Sequence, residues 1–131
     1  MNLSTFNIKN ILGDESDLKY YEQLGHAIEH AESPQRHDIF LPYFQLSDQI
    51  AVLLDTEQSW SLYLAQLALL LRSIKNELIP NHWRRACYDV LNKPLLSLQR
   101  LATTTEKKHQ LNTYYMQINK QVTEVFNLYP F

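Results

Sequence analysis

The sequence predicts an all-α protein, and three observations lead to that fold class. Apolar residues recur at alternating intervals of three and four in two long segments, which places each set on one side of a helix. Only two of the 131 residues are glycine, so tight hairpin turns between strands are scarcely available. The chain also lacks the alternation of apolar and polar residues that marks a half-buried strand. We expect a single domain over residues 1–131, with four main helices, mostly antiparallel, and one or two short helices.

The two apolar stripes lie in the middle of the chain and near its end. The first consists of Trp60, Leu64, Leu67, Leu71, Ile74 and Leu78, and the second of Leu111, Tyr115, Ile118, Val122, Val125 and Tyr129. Asp55 or Thr56 can cap the helix that carries the first stripe. We expect this helix to run to about Ile79, because Pro80 closes it.

The N-terminal half predicts three further elements. Residues 1–13 form either a short helix or an apolar arm. The cap residues at 14–17 start a helix that ends near Glu32. Serine and proline then predict a short helix over Pro34–Phe40. Proline disfavours helical geometry at the residue before it, so a longer helix follows over Pro42–Leu54.

The C-terminal half predicts two or three helices. Asn81 can cap the first, and Pro94 either kinks it or opens a separate helix. The threonines at 103–105 mark a loop and a cap before the final helix, which reaches about Leu128. Leu62 and Leu69 lie on the back of the long middle helix, opposite its stripe. That helix is therefore either the enclosed centre of the bundle or a contact surface for another molecule.

Composition excludes several classes of function. The scarcity of glycine removes phosphate-binding loops and dinucleotide folds. Cys87 is the only cysteine, and it falls on the apolar side of its helix, so we expect a core residue and an intracellular protein. The N-terminus lacks the features of a signal peptide, and no apolar run is long enough to span a bilayer. We predict a cytoplasmic protein with no membrane partner.

His26, Glu29 and His30 form the sharpest chemical motif. Histidines four residues apart on a helix can share a Zn²⁺, and a nearby glutamate can act as a general base. The motif resembles the H-x-x-E-H signature of the inverted zinc peptidases, which implies a further glutamate downstream, near Glu106. The parent domain of that family is larger and contains a sheet. Metal binding by His26 and His30, with His37 assisting, is therefore kept as an alternative, without catalysis.

The segment from His82 to His109 is basic, although the chain as a whole carries a net charge of -2. Its cations are Arg84, Arg85, Lys93, Arg100, Lys107 and Lys108. Clustered cations of this kind can contact phosphates. A helix-turn-helix signature is not visible, so nucleic-acid binding is a second alternative and not the preferred prediction.

The sequence thus favours a non-enzymatic protein that binds another protein, as a regulator, adaptor, chaperone or inhibitor, without a cofactor. A homodimer is one form of that prediction. Aromatic side chains support it, since tyrosine is favoured at interfaces. The residues predicted to contact the partner are Leu62, Leu69, Tyr20, Tyr114, Arg84 and Arg85.

Overall fold

A computed structural model describes residues 15–128 of the chain. These residues form six α-helices and one 3-10 turn, without a strand, which confirms the all-α class. The helices are α1 (Glu15–His30), α2 (Phe40–Val52), α3 (Thr56–Lys75), α4 (Asn81–Asp89), α5 (Asn92–Leu101) and α6 (Thr105–Leu128). The predicted arm at 1–13 and the last stripe residue, Tyr129, lie outside the described range.

Helix α3 is the centre of the arrangement, because within residues 15–128 it contacts each of the other five helices. Helix α2 runs antiparallel to α3. The Tyr63 hydroxyl donates to Asp48 at 2.8 Å, and the Ser59 hydroxyl donates to the Ala51 carbonyl at 3.2 Å. The later residue of α3, Tyr63, contacts the earlier residue of α2, Asp48, so the two helices run in opposite directions.

Helix α6 runs alongside α3 in the same direction, after α4 and α5 have carried the chain back. Lys107 lies 2.6 Å from the Glu57 carboxylate at the start of both helices. Towards their other ends, Lys75 donates to the Gln121 side chain at 3.2 Å. The described contacts thus give one antiparallel pair, α2 with α3, and one parallel pair, α3 with α6.

The back of α3 is enclosed where Leu62 lies. Leu62 is only 1% exposed and forms a core cluster with Leu18 and Ile50. Leu69 is half-buried, and its Cδ1 lies 3.3 Å from the position that a Cβ would occupy on Gly25. The expectation that Leu62 contacts a partner is wrong, because the neighbouring helices α1 and α2 cover it.

Helix α1 is followed by a residue with a left-handed backbone conformation that is not glycine. Ala31 has φ 48, and the Glu32 amide donates to the Ala27 carbonyl at 3.0 Å. This is the bond that defines a Schellman motif. The Trp83 indole donates to the Ile28 carbonyl at 2.8 Å, so helix α4 supplies a second partner for this helix end.

The predicted short helix over Pro34–Phe40 is wrong. The structure has a 3-10 turn at His37–Ile39, and α2 begins at Phe40 and continues through Pro42. Amide groups in the first turn of a helix have no intrahelical acceptor, so proline costs no hydrogen bond there. Pro42 is thus part of the helix start and does not interrupt the chain.

Two predicted boundaries near the end of α3 are also wrong. Helix α3 ends at Lys75, because the Asn76 side chain accepts the Leu78 amide at 2.9 Å and so stabilises a turn. Leu78 is 94% exposed and does not belong to the buried stripe. Asn81 does not cap α4, since its side chain instead accepts a hydrogen bond from Arg84 at 3.2 Å.

Three predicted helix starts are confirmed. Asp55 caps α3 in a capping box with Gln58, whose amide donates to the Asp55 carboxylate at 2.8 Å. The Thr104 hydroxyl accepts the Lys107 amide at 3.1 Å at the start of α6. Pro94 lies in the first turn of a separate helix, α5.

Candidate binding cleft

A cleft of about 360 Å³ opens between helices α2, α3 and α5. Its lining residues are Asp48, Ala51, Val52, Ser59, Tyr63, Ser97, Arg100 and Leu101. The volume falls within the range of small-ligand and side-chain pockets. Helices α2 and α5 contribute both apolar and polar residues to it, and α3 contributes Ser59 and Tyr63.

The burial of the lining residues gives the cleft a polar base and a mixed rim. Tyr63, Ser59 and Ser97 are buried and form the base. Ala51 and Leu101 are partly buried. The remaining three residues, which are Asp48, Val52 and Arg100, are exposed and stand at the rim.

Tyr63 is held at the base by Asp48, whose carboxylate accepts a hydrogen bond from the Tyr63 hydroxyl at 2.8 Å. Burial, together with this hydrogen bond to an anion, raises the pKa of Tyr63 well above its ordinary value. The phenol therefore stays protonated at neutral pH. It can donate a hydrogen bond but cannot act as a general base.

The two serines of the base have their protons directed at backbone carbonyls. Ser59 donates to the Ala51 carbonyl at 3.2 Å, and Ser97 donates to the Lys93 carbonyl at 3.3 Å. A nucleophilic serine needs a base that takes its proton. The arrangement fits binding better than nucleophilic catalysis.

Arg100 is the cation of the cleft. One of its terminal nitrogens, Nη2, donates to the Ser97 hydroxyl at 3.1 Å. Across residues 15–128, no carboxylate lies within 4.0 Å of this guanidinium. Arg100 is thus positioned by a neutral group and keeps its charge available to a ligand.

A second cleft, of about 420 Å³, lies between α5 and α6. Its lining residues are Gln99, Ala102, Lys108, Leu111, Asn112 and Tyr115. Lys108 is its one charged group, and its polar side chains are exposed. It lacks the buried hydroxyls that give the first cleft a fixed hydrogen-bonding base.

Arg84 is buried, so the prediction that it contacts a partner is wrong. It is 1% exposed, and its Nε donates to the Ile74 carbonyl at 2.7 Å. Ile74 is in the last turn of α3, where carbonyls lack intrahelical partners. The Arg84 guanidinium therefore caps helix α3 and cannot contact a partner protein or a phosphate in the folded molecule.

The other predicted contact residues are spread over the surface. Arg85 is exposed and lies 3.0 Å from Asp89 on its own helix. Tyr20 is 48% exposed on α1. Tyr114 and Leu69 are partly buried. Contact with a partner stays a prediction for these four residues, and none of them lines the cleft.

His26 and His30 are exposed neighbours on α1, with ring centroids 4.4 Å apart. His26 Nδ1 lies 2.6 Å from a Glu32 carboxylate oxygen. The Glu29 carboxylate does not contact His26 in this way; it accepts two hydrogen bonds from Arg72, at 2.8 and 3.1 Å. These bonds lower the pKa of Glu29. No group of three potential metal ligands occurs among the residues that the structure describes.

Three of the six cations of the basic segment already have other partners. Arg84 is buried against the end of α3, and Arg85 is paired with Asp89. The Lys107 ammonium lies 2.6 Å from Glu57. Phosphate binding depends on several cations that face one ligand, and these three face different neighbours.

Cys87 is confirmed as a core residue. Its side chain is fully buried, and burial raises the pKa of the thiol to about 12. His82, the histidine nearest to Cys87 in the sequence, has its Nε2 3.1 Å from the Pro34 carbonyl. Cys87 is therefore a protonated, enclosed thiol and not an activated nucleophile.

Sequence reasoning missed the cleft, although weak signals exist. Ser59 and Tyr63 stand four residues apart beside the apolar stripe of α3, and Ser97 interrupts the leucines of α5. Arg100 stands out in the sequence only as one of the basic residues. No sequence motif or apolar periodicity singles out Asp48. The convergence of these side chains depends on how three helices pack.

No helix within the described range is both long and apolar enough to cross a membrane. No protein-family model, curated protein or solved structure matches the chain.

Proposed function

We propose that this chain is a small, cytoplasmic, non-enzymatic module that binds another protein. In this proposal, the cleft between α2, α3 and α5 receives a side chain of the partner. The observation that carries the proposal is the make-up of that cleft, in which a buried polar base is surrounded by apolar and charged groups. Such a mixture fixes the orientation of a bound group while the apolar surface supplies affinity.

Exposed apolar side chains beside the cleft support a protein partner. Val52, on the rim, is 83% exposed, and the next residue, Leu53, is 52% exposed. Full burial of one such side chain contributes about 1.5–3 kcal/mol. A partner segment that covers Val52 and Leu53 while it fills the cleft would gain affinity from both surfaces.

Capture of partners from the native cell tests this proposal, with two aspartate substitutions as a matched pair. Val52→Asp places a charge on the cleft rim. Leu78→Asp places one on the most exposed apolar residue, which follows the opposite end of α3. Both variants should fold, as circular dichroism and thermal unfolding will check, because both sites are exposed.

We expect a specific partner to be captured by the native protein and by Leu78→Asp, and to be lost with Val52→Asp. Retention of the partner by Val52→Asp would show that the cleft rim does not bind it. Sedimentation of the native protein alone distinguishes a second copy of the chain from a different partner.

Metal binding by His26 and His30 is a second candidate, supported by the contact between His26 and Glu32. A carboxylate on one ring nitrogen orients a histidine so that its other nitrogen can bind a metal. Calorimetric titration with Zn²⁺ tests it: binding of one ion, lost in His26→Ala, favours this candidate. Equal heats for the native protein and the variant would exclude it.

A further inference from the structure

We infer that the cleft selects a partner segment in which a carboxylate stands beside an apolar side chain. This inference rests on the proposed function and names the chemistry of the partner. Arg100 binds the carboxylate, and the apolar side chain lies against Ala51, Val52 and Leu101.

The charges favour an anionic ligand group. The cleft contains one anion, Asp48, and one cation, Arg100. Asp48 already accepts a hydrogen bond from the Tyr63 hydroxyl at 2.8 Å, and this bond compensates part of its negative charge. The described partner of Arg100 is the neutral hydroxyl of Ser97. The cation is thus the less compensated charge, and a carboxylate is its natural complement.

The geometry favours a carboxylate over a diffuse negative field. A guanidinium has five N–H donors in a planar fork that matches the two oxygens of a carboxylate. The contact between Arg100 and the buried Ser97 holds that fork at the rim. Its orientation is therefore set before a ligand arrives, and less conformational entropy is lost on binding.

The position of Asp48 gives the ligand a direction. Asp48 belongs to α2 and Arg100 to α5, so the two charges stand on different helices of the rim. A carboxylate is repelled at the α2 side and attracted at the α5 side. Its apolar neighbour is then directed towards Ala51 and Val52, which lie on α2 beside Asp48. A volume of about 360 Å³ is enough for one branched aliphatic side chain together with a carboxylate.

Two small probes isolate the charge. N-acetyl-L-leucine carries a carboxylate and an aliphatic side chain, whereas N-acetyl-L-leucinamide has the same shape without the charge. Each is titrated into the full-length protein, and the backbone amide resonances of Ser59, Ser97 and Arg100 are followed by two-dimensional NMR. We expect both probes to shift these resonances and the acid to bind about tenfold more tightly.

Three variants assign the charge to the residue. Arg100→Gln should remove the preference for the acid and leave the affinity for the amide unchanged. Arg85→Gln, which removes a cation outside the cleft, should keep the preference. Asp48→Asn keeps an acceptor for Tyr63 and removes the repulsion, so it should tighten binding of the acid a few-fold and leave the amide as it was.

Equal affinity for the acid and the amide, or a preference that survives Arg100→Gln, would overturn this inference. In that case the cleft could still receive an apolar side chain, and the capture experiment with Val52→Asp would decide the proposed function separately. The absence of shifts at the cleft with either probe would overturn the inference as well.

Discussion

Substitution of Arg84 by alanine tests whether this arginine is a structural cap of α3. The guanidinium is 1% exposed, and it donates to the Ile74 carbonyl at 2.7 Å and to the Asn81 side chain at 3.2 Å. Ile74 lies in the last turn of α3, which is the negative end of the helix dipole. The substitution removes the donor from both acceptors and removes the side chain from the core.

The expected loss of stability is about 3–5 kcal/mol. A hydrogen bond from a charged group contributes about 1.5–3 kcal/mol. Loss of the buried side-chain stem leaves a cavity, and large-to-alanine changes in a core cost about 2–5 kcal/mol. The wild-type fold carries the desolvation cost of a buried guanidinium, which the alanine variant lacks, so this term opposes the other two. The net loss is therefore expected to fall below the sum of the separate terms, at about 3–5 kcal/mol.

Urea unfolding followed by circular dichroism measures this loss, with Arg85→Ala as the control. Arg85 is an exposed neighbour in an i, i+4 pair with Asp89, so its removal should cost less than about 1 kcal/mol. Arg84→Met, which keeps the volume but not the charge, should lie between the two. If Arg84→Ala costs no more than Arg85→Ala, then Arg84 does not cap α3, and the position of α4 in the fold is wrong.

Three further predictions follow from the packing and the ionisable groups. Gly25→Val should destabilise the folded protein by about 1–3 kcal/mol in thermal unfolding, because a Cβ at this position would lie 3.3 Å from the Tyr43 ring. Gly25→Ala should be nearly neutral, since the higher helix propensity of alanine offsets about 1 kcal/mol of that strain. Cys87, with its pKa raised to about 12, should react with a thiol reagent at pH 8 only as fast as the protein unfolds, and rapid reaction of the folded protein would show that it is accessible. Arg72 lowers the pKa of Glu29 below its ordinary value of 4.5. The ion pair therefore stabilises the folded protein fully above the pKa of Glu29 in the unfolded chain, and this stabilisation is lost as the pH falls through the pKa of Glu29 in the folded protein. Glu29→Gln should therefore cost up to about 1 kcal/mol in urea unfolding at pH 7 and progressively less as the pH falls through the folded pKa, whereas a cost that does not change with pH would contradict the assignment.

Local sequence signals predicted the fold class and several helix starts, because these depend on interactions within one or two turns. The box of Asp55 with Gln58 and the cap at Thr104 are of this kind. The errors concern exact helix boundaries, where the sequence pattern is compatible with more than one start or end. Asn76 ends α3 four residues early by accepting the Leu78 amide, and α2 starts at Phe40, two residues before the predicted start at Pro42.

Arg84 shows why the surface was harder to predict than the helices. Trp83 faces the core, and the next residue on a helix points about 100° away. In a helix that contacts one neighbour, that direction leads to solvent. Helix α4 instead packs where α3 ends, so both Trp83 and Arg84 are enclosed. Only the position of the α3 carbonyls, which is a property of the packed bundle, gives the arginine its partner.

The same principle explains where the cleft forms. The back of α3 is closed at Leu62 because Leu18 and Ile50 supply apolar side chains that pack against it. At Tyr63 and Ser59 the facing helices α2 and α5 supply polar groups, including Asp48 and Ser97. Hydroxyls that are satisfied by carbonyls and a carboxylate gain little from closer packing, so the helices gain little by closing over them. The gap is therefore a consequence of polar residues on three helices, and a change such as Ser97→Leu would fill it from inside and abolish binding without unfolding the bundle.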